Sequence, residues 1–359
     1  MKILILMDCF RYGGLSKMVN WLCSTLNQSG YDATLCSIYS SQYTNRLDEN
    51  TKFVSLGLQE SENKIERNTI LLLKKIKRFN NYLRHNHFDV ILSVGDPSLY
   101  LALLFRKKYK YKIIVSERVD PYTTRSKGDI IRRKLYYLCD SFVFQTNEAK
   151  DYFNEPIKSK AYVIPNPVIM PPNLPQWSWN NSQNSLVYAG RYDNYQKRID
   201  LLLESFAIVH KSYPDITLEI FGGGYDNALV KKLCDQFSIT DSVIFHGVTN
   251  NIYSELIKSK IFVFTSDYEG IPNAVIEAMM VGMPIVSTDT SPGGTKMLLQ
   301  NKYGVLVERG NANAVAEGIV YLLENKELAE SMGNSARESL NRFNKSDITK
   351  LWLNVFSNI

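Results

Sequence analysis

Residues 165–179 read Pro-Asn-Pro-Val-Ile-Met-Pro-Pro-Asn-Leu-Pro-Gln-Trp-Ser-Trp, so that on average every third residue is proline. Proline lacks a backbone N–H and does not fit inside a helix or a central strand, so regular structure is expected to stop here. Strand-like sequence resumes at Leu186. The stretch therefore predicts a linker over 166–180 between a first domain, 1–165, and a second domain, 181–343.

On both sides of this linker, short apolar runs alternate with amphipathic stretches such as Ser16–Ser29 and Ile199–Tyr213. Runs rich in Val, Ile, Leu and Phe are typical of strands buried on both faces of a parallel sheet. The predicted fold class is α/β, with two Rossmann-like doubly wound domains facing a central cleft. The predicted strands are Lys2–Asp8, Asp89–Val94, Lys112–Ser116, Ser141–Gln145 and Tyr162–Ile164, then Leu186–Ala189, Thr217–Phe221, Val243–Phe245, Ile261–Thr265, Pro284–Ser287 and Gly304–Val307.

The composition excludes several classes of protein. With 359 residues, 45% of them hydrophobic, the chain is too long for one ordinary core and suits two. Its apolar runs are strand-sized rather than membrane-spanning. We expect no signal peptide, because Met1–Leu4 runs straight into a strand-like segment without a small-residue cleavage region. Five cysteines stand without a Cys-x-x-Cys pair, and the four histidines do not group with them. We expect reduced thiols, a cytoplasmic protein and no metal site.

The net charge of +6 is unevenly distributed, because the first half of the chain is basic and the second mildly acidic. In Lys64–Arg84, the apolar run Ile70–Leu73 stands beside Lys74, Lys75 and two further cations. This pattern predicts a basic amphipathic helix, which can lie on anionic lipid at the inner face of the cell membrane. Packing of the helix on its own sheet is the competing interpretation. A basic half also suits nucleic acid, although we expect no nucleic-acid partner.

The first candidate ligand loop is Asp8–Ser16, which follows the first predicted strand and contains Gly13 and Gly14. Glycines let the backbone approach a ligand, and the helix that follows offers N–H groups to an anion. The loop is not G-x-G-x-x-G, which argues against a nicotinamide cofactor. A plain tight turn is the alternative interpretation.

The second candidate places Gly190 and Arg191 directly after the first strand of the second domain, with Lys197 a few residues later. Two cations at the edge of a sheet suit a diphosphate, since Arg binds it as a fork and Lys as a point charge. Ordinary surface charges would look the same. The adjacent Arg198 leaves open which of the two neighbouring cations serves this role.

The third candidate is Ser266–Ala278, which follows the strand Ile261–Thr265. Pro272 can open a helix whose positive end then points toward a ligand. Glu269 precedes that helix and Glu277 lies inside it, too far along to form a close acid/base pair with Glu269. The two carboxylates are expected to accept hydrogen bonds from separate hydroxyls, although Glu269 could equally be a helix cap. A fourth loop, Thr288–Thr295, is either a phosphate contact or a structural loop.

Together these segments resemble retaining glycosyltransferases of family 4, which have the GT-B fold. Ser266, Glu269-Gly270, Pro272 and Glu277-Ala278 resemble the family's E-x7-E motif, and Gly190-Arg191 with Lys197 resembles its cation pair. The similarity extends over most of the chain, from the glycine loop Gly13-Gly14 to a late strand. The other matching segments are the domain junction Ile164–Pro167 and the strand Tyr303–Val307.

The resemblance implies a nucleotide-sugar donor, with UDP expected, and no cofactor or metal. Arg191 and Lys197 would neutralise the donor diphosphate, and Glu277 would bind the ribose. Glu269 and the backbone N–H groups in the run from Gly270 through Ile271 and Pro272 to Asn273 would hold the sugar and β-phosphate. Within this run, Pro272 has no N–H. Gly13 and Gly14 would complete the phosphate cradle. The resemblance also implies a saccharide acceptor on a lipid carrier, and a terminal helix, 344–359, that crosses back to the first domain.

One segment departs from the family pattern. Where many relatives carry a histidine, this chain has Ser116-Glu117-Arg118-Val119-Asp120-Pro121. A Ser-Glu-Arg run is similar to a subgroup that acts on bacterial surface-polysaccharide intermediates. Glu117 and Arg118 are therefore candidates for orienting the acceptor or the donor sugar, with a salt-bridged loop as the alternative.

The sequence thus predicts a hexosyltransferase that acts with retention in cell-surface polysaccharide synthesis, including lipopolysaccharide, O-antigen or capsule. Arg191, Lys197 and Glu269 are its predicted catalytic residues. A nucleotide-sugar 2-epimerase of the same fold is the nearest rival, but it would need further acid/base residues. A non-catalytic basic binding protein is the second rival, and it would not need the cations and carboxylates together.

Overall fold

The computed structural model describes residues 1–11, 13–41, 46–59, 70–123, 127–225 and 228–359. The chain divides into two compact units. The first unit combines Met1–Pro167 with Ser346–Ile359, and the second unit is Val168–Lys345. The amino-terminal part of the predicted basic helix, residues 64–69, lies outside the described residues, as does Tyr12 of the first candidate loop.

The first unit is built on a parallel sheet with the strand order β3-β2-β1-β4-β5-β6-β7. Two of its strands, Asp32–Tyr39 and Lys52–Leu58, were not predicted, because polar residues interrupt their apolar runs. The strands are β1 (Lys2–Met7), β2 (Asp32–Tyr39), β3 (Lys52–Leu58), β4 (Val90–Val94), β5 (Lys112–Ser116), β6 (Ser141–Phe144) and β7 (Ala161–Val163).

Helices cover both faces of this sheet, because the strands bury apolar side chains in both directions. In β1, Leu4 and Leu6 belong to one core cluster, while Ile3 and Ile5 belong to the other. Alternation of this kind is the two-residue period of a strand. The helices of the first unit are α1 (Gly14–Gln28), α2 (Ile70–His85), α3 (Asp96–Tyr109), α4 (Lys127–Leu135), α5 (Asn147–Asp151) and, after the second unit, α13 (Lys345–Ser357).

Helix α13 packs in the core of the first unit. Ile348, Trp352, Val355 and Phe356 repeat at helical spacing and are all buried in the cluster that contains Ile3. Leu351, on the same helix, is exposed. The apolar face of this terminal helix thus packs on the core of the first unit.

The second unit has a parallel sheet with the order β10-β9-β8-β11-β12-β13. Two such sheets with helices on their faces confirm the predicted fold class. Its strands are β8 (Gln183–Ala189), β9 (Thr217–Phe221), β10 (Val243–Gly247), β11 (Ser259–Phe264), β12 (Ile285–Thr288) and β13 (Val305–Val307). Its helices are α6 (Ile199–Ser212), α7 (Ala228–Phe237), α8 (Ile252–Leu256), α9 (Asn273–Val281), α10 (Gly294–Leu299), α11 (Ala312–Glu324) and α12 (Lys326–Ser339).

The proline-rich stretch, predicted as a linker, is anchored on the second unit at Val168 and at Trp177. The Trp177 backbone N–H donates to Val281 O at 2.9 Å, and its indole Nε1 donates to Ser259 O at 2.8 Å. Val168 N also donates to Phe343 O at 2.8 Å. Buried indoles with a satisfied N–H anchor a segment firmly. Among the described residues, no helix has both the length and the apolar character needed to cross a bilayer.

Candidate active site

The predicted cations and the predicted carboxylate meet at one point of the second sheet. Strands β8 and β11 are neighbours in this sheet although they are not consecutive in sequence. Arg191 follows β8 and Glu269 follows β11, so both stand at the carboxyl ends of the two strands. In open α/β sheets, ligands bind at this switch in strand order.

Lys197 and Glu269 form an ion pair there. Lys197 Nζ lies 2.5 Å from Glu269 Oε1, and the two side chains are only 15% and 13% exposed. Ser266 Oγ donates to the same carboxylate oxygen at 3.2 Å. Lys197 Nζ also lies 5.3 Å from the centre of the Phe264 ring. A cation held in this way is fixed in position before any ligand arrives.

The adjacent Arg198 is paired with two other carboxylates. Its guanidinium forms ion pairs with Asp200 at 3.0 Å and with Asp267 at 3.1 Å. The hydrogen bonds that Arg198 donates to Asp200 and to Asp267 raise its pKa above the ordinary value. Two carboxylates thus neutralise Arg198, whereas Lys197 faces Glu269.

Arg191 is the exposed cation of the site, with 65% of its side chain accessible. Its guanidinium lies 3.1 Å from Asp193 Oδ2 and donates to Gln196 Oε1 at 3.0 Å. Asp193 Oδ1 in turn accepts the Gln196 N–H at 2.9 Å. The loop therefore presents Arg191 at its surface while its own hydrogen bonds fix the backbone.

Gln196 ties the cation loop, residues 190–198, to the loop that carries Glu269. Its Nε2 donates to Tyr268 O at 3.1 Å, and its carbonyl accepts the Asp267 N–H at 2.8 Å. Thr265 Oγ1 also donates to Lys197 O at 3.0 Å. Side chain and backbone together lock the two loops in register, so Lys197 and Glu269 keep their relative position.

Helix α9 begins at Asn273, directly after the Glu269 loop. Pro272, the predicted helix start, is instead its N-cap residue, and the side chain of Pro272 offers no capping hydrogen bond to the first N–H groups. An uncapped amino end carries partial positive charge. Glu277 lies about one turn inside the helix and is half-buried. Its electrostatic field raises the pKa of Tyr253, although burial is the larger cause.

At two places the backbone approaches the cation loop or the Glu269 loop so closely that only glycine, which has no Cβ, fits. A Cβ on Gly222, whose φ is +138°, would lie 1.7 Å from Gly190 O, and one on Gly294 would lie 1.7 Å from Gly270 O. The hydroxyl of Tyr225 donates to Gly190 O at 2.9 Å. Gly222 and Tyr225 were not among the predicted site residues, although the run Gly222–Gly224 directly after a strand was a visible signal.

The fourth candidate loop acts as a support for the Glu269 loop. Ser291 O accepts the Glu269 N–H at 2.7 Å, and Thr288 Oγ1 donates to Ser266 O at 2.6 Å. Thr290 and Thr295 bond to each other within the loop. These contacts give the loop a structural role in the free protein.

In the first unit, Gly13 and Gly14 stand where β1 leads into α1. Helix α1 begins at Gly14, and in the described residues its first turn has neither a capping side chain nor an acidic residue. A Cβ on Gly13 would meet no atom within 4 Å, and its φ of 162° is ordinary extended backbone. The packing of the described residues therefore does not require glycine at position 13, which leaves room for a ligand as one reason for its presence.

Glu117 is buried in the first unit, with only 5% of its surface accessible. The hydroxyl of Tyr136 donates to Glu117 Oε2, and Arg132 Nη2 lies 3.4 Å from the same oxygen. Burial raises the pKa of Glu117, an effect that the Tyr136 hydrogen bond and the charge of Arg133 partly offset. The side chain proposed to orient a sugar is thus engaged inside the unit.

Arg118 points in a different direction from Glu117 and is also engaged internally. Its Nε donates to Ser116 Oγ at 2.8 Å and its Nη1 to Asn166 Oδ1 at 3.1 Å. Burial lowers the pKa of Arg118 to about 10, so its guanidinium remains charged at neutral pH. In the free protein, Glu117 thus faces the cation Arg132, whereas Arg118 donates to the neutral oxygens of Ser116 and Asn166.

The chain is similar to known proteins in sequence and in fold. Residues 12–170 match the model of Glycosyltransferase Family 4, and residues 171–339 match that of Glycosyl transferases group 1. An uncharacterized glycosyltransferase from Haemophilus influenzae is 26% identical over 349 residues, 96% of each chain. The GalNAc-alpha-(1->4)-GalNAc-alpha-(1->3)-diNAcBac-PP-undecaprenol alpha-1,4-N-acetyl-D-galactosaminyltransferase of Campylobacter jejuni is 21% identical, covering 100% of this chain and 99% of its own. Anabaena Alr3699/HepE, solved with UDP, superposes with a TM-score of 0.81 at 15% identity over 100% of both chains.

The chain is therefore a glycosyltransferase with the GT-B fold. It combines a Glycosyltransferase Family 4 domain in its first half with a Glycosyl transferases group 1 domain in its second.

Proposed function

We propose that this glycosyltransferase moves a hexose or N-acetylhexosamine from a UDP-sugar to a saccharide acceptor on a lipid carrier, with retention of anomeric configuration, in cell-surface polysaccharide synthesis. The observation that carries the proposal is the Lys197–Glu269 ion pair at the switch point of the second sheet. Exposed Arg191 and the amino end of α9 stand on the same two loops. Positive charge for a diphosphate and an acceptor for a sugar hydroxyl are thus held together.

In the proposed reaction, the bond between the sugar C1 and the diphosphate oxygen breaks and C1 bonds to the acceptor hydroxyl on the same face. The hydroxyl proton passes to the leaving phosphate, which departs as the nucleoside diphosphate. Arg191 and Lys197 stabilise the negative charge that grows on that phosphate, the largest demand of such a step. Because these cations supply the charge, the proposal includes no metal ion and no cofactor.

The other residues take binding roles in the proposal. Glu269 accepts a hydrogen bond from a hydroxyl of the transferred sugar, while backbone N–H groups between Gly270 and Asn273 face the β-phosphate. Glu277 accepts from the ribose. Gly13 and Gly14 offer backbone N–H groups at the uncapped start of α1 to an anion.

The choice of substrates draws on relatives. The fold likeness to a UDP complex favours a uridine nucleotide, and a full-length relative is named for an undecaprenol-linked glycan acceptor. Since both proteins are less than 25% identical to this chain, they indicate a class of substrate rather than a particular sugar or linkage.

The first unit offers a surface for the membrane that holds such an acceptor. On α2, Ile70, Leu72 and Leu73 are exposed beside Lys74 and Lys77. The neighbouring α3 continues this surface with exposed Leu104, Lys107 and Lys108, and Lys108 Nζ donates to Asn80 Oδ1 of α2 at 3.0 Å. Exposed apolar and basic side chains together favour an anionic lipid surface, and we place the enzyme on the inner face of the cell membrane.

A thermal-shift screen with UDP-, GDP- and ADP-sugars tests the donor. The correct donor should raise the melting temperature most, because ligand binding stabilises the native state by mass action. With the selected donor, NMR of the sugar released in the absence of acceptor tests the chemistry. A hydrolysed sugar of retained anomeric configuration agrees with the proposal, whereas an epimerised nucleotide-sugar would assign the chain to the 2-epimerase alternative. Absence of any shift with all donors would overturn the proposal.

A further inference from the structure

The side chain of Arg118 contacts four separate elements of the first unit. Besides the hydrogen bonds to Ser116 and Asn166, its Cζ lies 5.8 Å from the centre of the Trp352 ring. Its Nη2 lies 4.0 Å from the sulfur of Met18. A guanidinium within about 6 Å of an indole ring is attracted by the ring's electron-rich face.

These contacts coincide with the places where the chain leaves and re-enters the first unit. The unit's first segment ends at Pro167, directly after Asn166, and its second segment begins at Ser346. Trp352 lies on α13 in that second segment, with only 1% of its surface exposed. Met18 lies in α1, one turn after Gly14. A single side chain on the loop after β5 therefore joins the outgoing strand end, the returning helix and the start of α1.

The residue that precedes Arg118 in this loop is itself anchored to the rest of the unit. Glu117, the preceding residue, is held by the Tyr136 hydroxyl and lies 3.4 Å from Arg132 Nη2. Its backbone N–H donates to Val143 O of β6 at 3.0 Å. Because the backbone is anchored on the sheet, the position of the guanidinium is fixed. The guanidinium can therefore restrain the four groups that it contacts.

We propose that Arg118 is a positioning residue that holds both chain crossings and the first turns of α1 against the loop after β5. It acts through Asn166, Trp352 and Met18 rather than by touching a sugar, which replaces the role expected from the sequence. The part of the proposal that concerns turnover rests on the proposed function, because it assumes that the placement of α1 and of the crossings matters for transfer. The part that concerns placement does not.

Hydrogen exchange tests the placement without any substrate. In Arg118→Met, the backbone amides of residues 14–20, 164–168 and 345–357 should exchange faster than in the wild type. The matched control is Arg84→Met, the same substitution at an exposed position of α2. It should leave those three segments unchanged. Equal protection of the three segments in Arg118→Met and the wild type would overturn the proposal.

A kinetic test distinguishes positioning from sugar contact. With the UDP-sugar selected by the thermal-shift screen and water as acceptor, Arg118→Met should lower kcat for UDP release by roughly tenfold, since small misplacements are costly in catalysis. The donor KM should stay within about twofold. Arg118→Lys, which keeps a cation over Trp352, should recover part of the rate. A raised donor KM at unchanged kcat would show that Arg118 contacts the donor directly, and unchanged UDP release would overturn its role in turnover.

A double-mutant cycle completes the test. Trp352 is too deeply buried to touch a substrate, so Trp352→Leu can affect kcat only through the packing of α13. If Arg118 acts through that helix, the kcat of the double variant should be close to that of the worse single variant, because coupled residues are not additive. Independent, multiplicative effects would remove Trp352 from the proposal. Should Trp352→Leu not fold, the Arg118→Met and Arg118→Lys pair decides alone.

Discussion

Lys197 Nζ lies 2.5 Å from Glu269 Oε1, so the free enzyme already holds a cation, paired with a carboxylate, where the donor is proposed to bind. The hydrogen bond from Ser266 and the Gln196 links between the two loops fix this pair. An entering diphosphate would find its cation in place and need not order a flexible lysine. Its affinity then benefits from preorganisation, since the loss of side-chain entropy has occurred during folding.

Lys197→Met should abolish most of the turnover and also destabilise the fold. Turnover should fall about 100-fold or more, because charge on the leaving phosphate loses a partner. The free energy of unfolding should fall by about 1–3 kcal/mol, because Glu269 is left largely buried without its cation. Urea unfolding measures this loss. Adding Glu269→Gln should restore stability but not turnover; if the double variant stays as unstable as Lys197→Met, the loss has another cause.

Arg191→Ala should separate activity from stability. The exposed side chain contacts only its own loop among the contacts described, through Asp193 and Gln196. We therefore expect the melting temperature to change little, while turnover falls about 10²-fold or more. The control is Tyr195→Ala in the same loop, since Tyr195 is 87% exposed. Near-normal turnover in Arg191→Ala would remove this residue from the diphosphate site.

The raised pKa of Glu117 predicts how stability depends on pH. A carboxyl with a higher pKa in the native state binds its proton more tightly there than in the unfolded chain. Its contribution is present below the unfolded pKa and is lost as the pH rises through the native one. The unfolding free energy of the wild type, minus that of Glu117→Gln, should therefore fall as the pH rises above the ordinary glutamate pKa of about 4. A difference that grows with pH would mean that the charge of Arg132 lowers the pKa of Glu117 by more than burial raises it.

The proposed membrane surface can be tested on side chains that face solvent. Lys74→Gln and Lys77→Gln together with Leu73→Ser should release the protein from vesicles that contain anionic lipid, as measured by co-sedimentation. The matched control is Lys75→Gln with Arg78→Gln, because these two cations already make internal contacts. Lys75 Nζ lies 4.8 Å from the centre of the Tyr39 ring, and Arg78 donates to Leu56 O. Undiminished binding of the first variant would reject this surface.

Most of the fold was readable from the sequence because it depends on local pattern. Strands Lys112–Ser116 and Thr217–Phe221 were predicted to the residue, because the first carries the apolar run Ile113–Val115 and the second places Leu218, Ile220 and Phe221 around a single Glu219. Strands β2 and β3 were missed because Thr34, Ser37 and Ser55 interrupt their runs. The proline-rich stretch was predicted as a linker because proline restricts backbone conformation. That restriction carries no information on the hydrogen bonds of Trp177 to Val281 and Ser259.

The site was readable to the level of residue types, and no further. Spacing placed Arg191, Lys197 and Glu269 after neighbouring strands, but whether Lys197 or Arg198 faces Glu269 depends on loop torsions. Arg198 adopts a positive φ of 51°, which no sequence pattern announced. The internal engagement of Glu117 and Arg118 likewise rests on partners far away in the sequence, such as Asn166 and Trp352.

The split construction of the first unit has a consequence for its synthesis. Residues 1–167 are synthesised before the second unit, yet α13, whose Trp352 and Phe356 close one face of the core of the first unit, is made only after it. The second unit is continuous from Val168 to Lys345, so the whole of it is available before α13. The first unit therefore cannot complete its core in the amino-terminal-first order that is usual during synthesis. Until α13 has been made, apolar side chains such as Ile3 and Trp21 lack part of their packing, and chaperones bind apolar surface of this kind.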